Sequence, residues 1–298
     1  MTIIYTEALS KMYGNKQAVS DLSLEVQSGE IYGFIGPNGA GKSTTIRMLL
    51  QLAKPTSGRI SLFGRDAGRP SAELRRRIGY LPSEIRLYER WTGMESLAFT
   101  ARAYGLKLDT TDYRQQAAML NLDLGKRIKS YSLGNRKKLG LIQSLLHSPE
   151  LLILDEPTSG LDPLIQHKLI DLLKQQREAG MTLFFSTHVL SEVERLCDRV
   201  AMIRDGRLLR VESVAALVGG KRHVFRVRFA DDQDRTDELG LHDFAAETIV
   251  KDGIHQFTID GPPGPVLQRL GRYEILDLTV ERPTLEESFM RDYKEGEK

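Results

Sequence analysis

The feature that most constrains this chain is a glycine-rich loop at residues 36–44, with the sequence Gly-Pro-Asn-Gly-Ala-Gly-Lys-Ser-Thr. Four residues occupy the defining positions of the pattern G-x-x-x-x-G-K-[ST], namely Gly36, Gly41, Lys42 and Ser43. An apolar, extended stretch at 31–35 precedes the loop, and a helical pattern of apolar residues at 46–52 follows it. The sequence therefore predicts a strand, a loop and a helix in succession, which is the setting that this pattern requires.

A loop of this kind binds phosphate groups. Glycines let the backbone turn tightly and point N–H groups inward, and the following helix adds the positive end of its dipole. We expect Lys42 to reach the β- and γ-phosphates of a nucleotide and the Ser43 hydroxyl to ligate Mg²⁺. The other expected members of the phosphate cradle are Gly36, Asn38, Gly39, Ala40, Gly41 and Thr44. A turn without a ligand is the alternative, but a chance match has a probability on the order of 1%.

Composition narrows the class of protein. A chain of 298 residues can form one large or two ordinary domains. The 42 Lys+Arg and 40 Asp+Glu leave a net charge of +2, so no overall field favours nucleic acid or a membrane surface. The single cysteine, Cys197, excludes an intrachain disulfide and favours a reducing compartment. No stretch reaches the ~18 apolar residues of a membrane span, and no signal peptide is evident, so we expect a cytoplasmic protein.

The order of the elements predicts the fold class. Short apolar strands alternate with helical patterns, which predicts a largely parallel sheet covered on both faces. We therefore expect an α/β fold with an almost wholly helical insertion at about 93–148 and a small carboxy-terminal α+β domain. A change in composition near Val218–Lys221 sets the expected domains at 1–220 and 221–298.

A second motif supplies carboxylates. Four apolar residues, Leu151–Leu154, predict a buried central strand that ends at Asp155 and Glu156. Ligands bind at this end of the strands in such sheets. We expect Asp155 to hold Mg²⁺ and Glu156 to polarise an attacking water molecule. Any parallel strand that ends in acids fits this pattern, but it becomes specific when Pro-Thr-Ser-Gly-Leu-Asp follows at 157–162 and Ser-Thr-His at 186–188.

Together these motifs make residues 1–220 resemble an ATP-binding cassette (ABC) ATPase, the nucleotide-binding subunit of an ABC transporter. The resemblance implies a P-loop NTPase (RecA-like) core with an antiparallel β subdomain. It also implies that the nucleotide is ATP with Mg²⁺ and that His188 contacts the γ-phosphate beside Glu156. It also implies that Tyr13 stacks on adenine. The loop that ends at Asp162 is expected to meet a second subunit.

The signature of that family, Leu-Ser-Gly-Gly-Gln, has the counterpart Tyr-Ser-Leu-Gly-Asn at 131–135. The resemblance implies that Ser132 and Gly134 contact ATP on a second copy, so that two copies form a homodimer around two ATP molecules. Ser132 is expected to cap a helix at 133–147. Leu133 replaces a glycine, which would cost roughly 1–2 kcal/mol in a left-handed backbone and nothing in a helix. We expect the helical conformation.

A second departure follows the strand that ends at Leu81 and Pro82. The family usually has a glutamine there that touches Mg²⁺ and the attacking water, whereas this chain has Ser83. Ser83 is shorter and could act through a water molecule, so we expect reduced or differently regulated hydrolysis. The segment Ser83–Trp91 either packs its own aromatic residues or forms a groove for a cytoplasmic helix of a membrane partner. The basic clusters 75–77 and 136–138 are expected to be solvated helix faces.

Three segments resemble the exporter branch that includes bacterial drug, antibiotic and lipid extruders: Tyr80–Glu84, Ser159–Pro163 and Pro283–Phe289. The sequence thus predicts an ATP-hydrolysing subunit that energises a separate membrane permease at the inner face of the cell membrane. One alternative is an ATP-gated regulatory module with weak hydrolysis. Another is a soluble ABC protein acting on ribosomes or DNA; the near-neutral charge and the single cassette disfavour it, so no nucleic acid partner is expected.

Overall fold

The computed structural model describes residues 1–218, 222–230 and 245–282. The chain divides into two compact units, Met1–Glu212 and Ser213–Lys298. The boundary predicted from composition, 220/221, lies a few residues further along the chain. No helix in the described part of the chain is long and apolar enough to cross a membrane.

The first unit contains ten strands and seven α-helices among its described elements. The strands are β1 (Thr2–Tyr13), β2 (Lys16–Gln27), β3 (Ile31–Ile35), β4 (Ser57–Leu62), β5 (Arg65–Asp66), β6 (Ile78–Leu81), β7 (Leu151–Asp155), β8 (Thr182–Thr187), β9 (Arg199–Arg204) and β10 (Arg207–Ser213), whose last residue passes the boundary. The helices are α1 (Lys42–Leu49), α2 (Ala72–Arg76), α3 (Gly93–Ala103), α4 (Tyr113–Met119), α5 (Leu133–Leu145), α6 (Pro163–Glu178) and α7 (Leu190–Leu196).

The strands of the first unit form two sheets. One has the order β2-β1-β4-β5 and is antiparallel, as predicted for the β subdomain. The other has the order β10-β9-β3-β8-β7-β6 and pairs in parallel from β9 to β6. Every residue of β3, β7 and β8 is buried, as expected for strands covered on both faces. Because these strands are parallel neighbours, the residues that follow them meet at one edge of the sheet.

The insertion at 93–148 is less helical than its sequence predicts. Three α-helices are joined by irregular segments and by two short 3₁₀ turns, Leu108–Thr110 and Ile128–Ser130. Gly105 and Asn121, with φ of 74° and 52°, follow α3 and α4 within two residues of their ends. A left-handed residue cannot continue an α-helix, so each helix ends there. The prediction of an almost wholly helical block is therefore wrong.

The second unit has the predicted α+β composition. Its described elements are α8 (Val214–Val218), β11 (Arg222–Phe229), β12 (Ala245–Lys251), β13 (Ile254–Asp260), α9 (Gly264–Leu270) and β14 (Ile275–Glu281). The strands form an antiparallel sheet in the order β12-β13-β11-β14. Phe225 and Phe257 stack at 5.1 Å in its core, where Val266 and Leu270 of α9 join them. The Pro283–Phe289 segment lies outside the described residues.

Helix α5 packs unusually close to the central sheet. A Cβ atom at Gly79 of β6 would lie 2.3 Å from the main-chain oxygen of Ser144 in α5. A Cβ at Gly140 of α5 would lie 2.7 Å from the side chain of Ile85. Both glycines therefore allow a close approach that a larger residue would prevent. This contact fixes where α5, and the Ser132 segment at its start, lies relative to the sheet.

We predict that Gly79→Ala lowers the free energy of unfolding of the first unit by about 1–3 kcal/mol, because the added methyl group overpacks a backbone contact. Urea denaturation followed through Trp91, the single tryptophan of the chain, measures this change. Gly68→Ala is the control, because its Cβ meets only the Asp66 carboxylate, at 3.2 Å, and the expected change is within about 0.5 kcal/mol. Equal stability of the two variants would contradict the packing argument.

Candidate functional site

The glycine-rich loop joins β3 to α1 with the backbone that its sequence requires. Gly41 immediately precedes α1 with φ of 108°, and a Cβ there would lie 2.6 Å from the oxygen of Ala18. At Gly36 a Cβ would lie 2.2 Å from the oxygen of Ile203. Both positions exclude a side chain. At Gly41 the left-handed backbone and the lack of space exclude it, and at Gly36 the lack of space alone does so.

A cleft of ≈ 500 Å³ opens beside this loop. Its size is typical of a small-molecule site. The lining residues are Tyr13, Lys16, Gln17, Ala18, Asn38, Gly39, Gly41, Lys42, Ser43, Thr44, Glu156, Asp205 and Gly206. The structure thus brings Tyr13, most of the expected phosphate cradle and Glu156 to one place. Gly36 and Ala40 support the loop from behind, since the oxygen of Gly36 accepts from Lys42 and that of Ala40 accepts from Gly206.

Tyr13 lies at the rim of the cleft. It is the last residue of β1, its side chain is exposed, and the Lys11 ammonium lies 5.0 Å from the centre of its ring. An exposed aromatic ring beside a phosphate-binding loop is suited to stacking on a planar base.

The Lys42 ammonium is held over the loop. It donates hydrogen bonds to the oxygens of Gly36 at 2.6 Å and Pro37 at 3.2 Å. It also lies 3.9 Å from Oε1 of Glu156. Burial lowers the pKa of Lys42, while the carboxylates of Glu156 and Asp155 act in the opposite direction. The cation is thus aimed at the same space as the catalytic candidates.

Asp155 connects three elements. It is 2% exposed, and its two carboxylate oxygens accept hydrogen bonds from Ser43 at 3.0 Å and Ser186 at 2.6 Å. A hydroxyl beside a carboxylate supplies the hard oxygen ligands that Mg²⁺ prefers. No cluster of three His, Cys, Asp or Glu in residues 1–218, 222–230 and 245–282 could hold a metal ion by itself. Ser43 and Asp155 therefore fit a cation that nucleotide and water also coordinate.

Glu156 has a strained backbone and a well-defined environment. Its φ of 49° is left-handed, which costs on the order of 1–3 kcal/mol for a residue other than glycine. Its N–H donates to the oxygen of Ser186 at 3.0 Å, and its own oxygen accepts from the Lys137 ammonium. His188 Nδ1 lies 3.0 Å from Glu156 Oε1. The structure thus brings together Glu156, His188 and Lys42, the three residues that sequence reasoning selected.

Ser83 lies near this edge but is not bonded to it. Leu81 pairs with Leu154 in parallel, so β6 and β7 end at the same edge of the sheet. Ser83 follows β6 at this edge, where β7 ends at Asp155 and Glu156 comes next. The side chain is half-buried, and none of the described residues forms a hydrogen bond with it. The predicted contact of Ser83 with Mg²⁺ stays a prediction.

The cluster at 136–138 corrects one expectation. Lys137 and Lys138 are 2% and 8% exposed, so the prediction of a solvated face is wrong for both. The physical reason is the close packing of α5, which turns this side of the helix toward the sheet edge. Burial lowers the pKa of both lysines, while Glu156, Asp155 and Glu192 oppose this effect at Lys137 and Asp162 opposes it at Lys138. Arg136 is half-buried and pairs with Glu89 at 3.1 Å.

The Ser132 segment lies apart from the cleft. Ser132 is exposed and caps α5, accepting from the N–H of Asn135 at 3.2 Å. Leu133 is the first residue of α5 and has no left-handed backbone, so the expected helical conformation is confirmed. A Cβ at Gly134 would lie 3.1 Å from the oxygen of Gly160. Asp162 caps α6 by accepting from Ile165 N–H at 3.0 Å. Ser132, Gly134 and Asp162 do not line the cleft.

Sequence reasoning missed several residues of the site. Asp205 and Gly206 line the cleft, although neither belongs to a motif that points to the site. The N–H of Gly206 donates to Ala40, and its oxygen accepts from Ser20. These are main-chain contacts, which no side-chain pattern reveals. Ser186 is different, because its place at the end of a buried strand beside Asp155 was a usable signal.

A second cleft of ≈ 400 Å³ lies between the sheet edge and the helical insertion. Its lining is largely apolar, with two arginines and no carboxylate: Leu50, Leu52, Arg75, Ile78, Tyr80, Pro82, Ile85, Arg86, Leu87, Thr100, Tyr104, Gly140, Gln143, Ser144 and His147. Leu87 therefore faces a groove, whereas Tyr88 and Trp91 contact each other at 4.4 Å and pack against Phe99. The aromatic residues of the 83–91 segment therefore pack on one another as the first alternative predicts, and the docking of a partner helix in the groove stays a prediction.

Comparisons with known proteins agree with this geometry. Residues 19–159 match the ABC transporter family model. The chain is 36% identical over 301 residues to the bacitracin transport ATP-binding protein BcrA of Bacillus licheniformis, covering 97% of both chains. It is 30% identical over 305 residues to the linearmycin resistance ATP-binding protein LnrL of Bacillus subtilis, again covering 97% of both.

A solved structure described as the ATP-binding subunit of an ABC transporter superposes with a TM-score of 0.66 at 32% identity. The match covers 72% of this chain and 92% of that one. The predicted α/β P-loop NTPase core is thereby confirmed. With its phosphate-binding loop, its carboxylate pair and these relatives, the chain belongs to the ATP-binding subunits of ABC transporters, a family of ATPases.

Proposed function

We propose that this chain hydrolyses ATP to energise an exporter whose membrane permease is a separate chain, and that two copies close around two ATP molecules. The observation that carries the proposal is the separation of two half-sites. The cleft is lined by the P-loop and by Glu156, whose carboxylate His188 contacts, while the exposed Ser132 segment lies elsewhere on the same chain. Relatives named for bacitracin transport and linearmycin resistance support an antibiotic-like substrate.

The proposed binding mode assigns each end of ATP to a different part of the cleft. Adenine stacks on the exposed ring of Tyr13, and the phosphates lie against the N–H groups of the loop and the Lys42 ammonium. The residues that would hold Mg²⁺ are Ser43 and Asp155, with Ser83 acting through a water molecule. When bound, the ion would neutralise part of the negative charge on the phosphate oxygens.

The proposed hydrolytic step uses the Glu156 carboxylate as the proton acceptor for an attacking water molecule. His188, 3.0 Å from Oε1, holds this carboxylate and lies where it can contact the γ-phosphate. The Lys42 ammonium lies 3.9 Å from the same oxygen and stabilises the negative charge that develops on the β- and γ-phosphates as the bond between them breaks. The fold holds Glu156, His188 and Lys42 close together, an arrangement that limits reorganisation during the reaction.

Dimer closure follows from the same geometry. In a head-to-tail pair, Ser132 and Gly134 of one copy would meet ATP on the other, since they do not line their own cleft. The Asp162 loop, which contacts the Ser132 segment in this chain, would lie at the same interface. ATP then contacts both copies only in the closed pair, so binding favours closure by its differential affinity for that state. Loss of the γ-phosphate removes part of that affinity.

The second cleft is the proposed docking site of the permease. Its apolar floor and its two arginines suit a short amphipathic helix that carries an acidic residue. The proposed location of the subunit is the cytoplasmic face of the cell membrane, where the permease would hold it.

We predict that Glu156→Gln lowers the rate of ATP hydrolysis at least about 100-fold while ATP binding persists, because the amide cannot accept the proton. The variant should accumulate as an ATP-bound dimer, which size-exclusion chromatography with light scattering detects. Lys42→Ala is the matched comparison: it should lose ATP binding itself and stay monomeric at the same nucleotide concentration. Undiminished hydrolysis by both variants would refute the assignment of the site.

We predict that Leu52→Asp abolishes co-purification with the multi-span protein expected in the neighbouring reading frame. The reason is that Leu52, 61% exposed, lines the second cleft, and a carboxylate there opposes an acidic, apolar partner helix. Leu209→Asp, at a leucine that is 53% exposed on β10 and lines neither described cleft, is the control and should still co-purify. Equal retention of the partner by both variants would place the permease elsewhere.

A further inference from the structure

We propose that Lys137 is a positioning residue for Glu156, and that it holds the backbone of this catalytic carboxylate from helix α5, which Ser132 caps. This inference rests on the proposed role of Glu156. Two observations point to it: Lys137 is 2% exposed, and its ammonium donates to the main-chain oxygen of Glu156. Burying a lysine ammonium costs free energy unless it is paired and hydrogen-bonded, so the bond to the Glu156 oxygen offsets part of the cost of burying Lys137.

The contact completes a clamp on the Glu156 backbone. On one side of its Cα, the N–H donates to the oxygen of Ser186 at 3.0 Å. On the other side, the oxygen accepts from Lys137. Both peptide planes that flank a left-handed residue are therefore fixed, and such a conformation persists only when its surroundings hold it. The direction of the side chain, and hence of the oxygen near His188 and Lys42, follows from those two planes.

The neighbouring lysine shows that burial alone does not create this contact. Lys138 is also buried on α5, but its electrostatic partner is Asp162, and the Glu156 oxygen is bonded by Lys137. Charge adds to the arrangement, since the carboxylates of Glu156, Asp155 and Glu192 all act on the Lys137 ammonium. Lys137 is thus both a donor to the clamp and a cation close to three acids at this edge.

The hydrogen bond from Lys137 connects Glu156 to the start of α5. Lys137 lies about one and a half helical turns after Ser132, and α5 runs unbroken between them. Because a helix moves as a rigid element, a displacement of its start also displaces Lys137. The clamp therefore ties the conformation of Glu156 to the position of α5.

The experiment uses Lys137→Met, which keeps the length and apolar contacts of the side chain but removes the donor and the charge. We expect kcat for ATP hydrolysis by the full-length protein to fall at least about 10-fold, with KM for ATP changed less than about threefold, because a misplaced group slows the reaction while the phosphate loop still binds. Arg136→Met removes a charge from the same helix turn without touching Glu156, and it should keep kcat within about twofold.

A double-mutant cycle separates positioning from general stability. If Lys137 acts through Glu156, then Lys137→Met slows single-turnover hydrolysis less than about twofold in the Glu156→Gln background. Lys137→Gln, which retains an N–H donor, should keep more of kcat than Lys137→Met, and it serves as the second variant if the methionine protein does not fold.

Three results overturn the proposal: kcat retained in Lys137→Met, a loss that is fully additive with Glu156→Gln, or no difference between the Gln and Met variants. In each of these results the wild type still hydrolyses ATP and Glu156→Gln still impairs it. Failure of the proposed function is different, because hydrolysis would then not depend on Glu156 at all.

Discussion

The arrangement of the site depends on one buried carboxylate. Asp155 accepts hydrogen bonds from Ser43 at the start of α1 and from Ser186 near the end of β8. It thereby joins the phosphate-binding loop, the central strand and the following strand at one point. A buried carboxylate without partners would be strongly destabilising, so these two hydroxyls are required for Asp155 to occupy this position. The positions of Glu156 and Lys42, which neighbour Asp155 and Ser43 in the chain, therefore depend on these two hydrogen bonds.

Glu156 is where the remaining constraints converge. Its carboxylate lies between His188 and Lys42, while its left-handed backbone is bonded on one side by β8 and on the other by α5. Strained residues of this kind are found where function requires one direction of a side chain. The close packing of α5 at Gly79 contributes to this arrangement, because it sets how near the helix, and with it Lys137, can approach Glu156.

Much of this could be predicted from local sequence patterns. The glycine-rich loop, the apolar run before Asp155 and the strand before His188 each specify their own backbone, and parallel pairing then brings their ends together. The helical state of Leu133 was also predictable, since Ser132 provides a cap. Predictions failed where contacts between distant segments determine which side chains are buried and where a helix ends. Lys137 and Lys138 looked like solvent-facing residues, and the insertion looked uniformly helical, because burial and left-handed helix ends are not local properties of those segments.

By itself, the sequence determined the phosphate-binding loop, the pair of acids and the class of the fold, since those features depend on residue type and spacing over a few positions. Only the tertiary structure decided which main-chain atoms close the site, such as those of Gly206 and Ser186, and which lysine reaches Glu156. The physical reason is that hydrogen bonds between segments far apart in the chain depend on how the sheet and α5 pack. No pattern along the chain encodes the distance between two backbones.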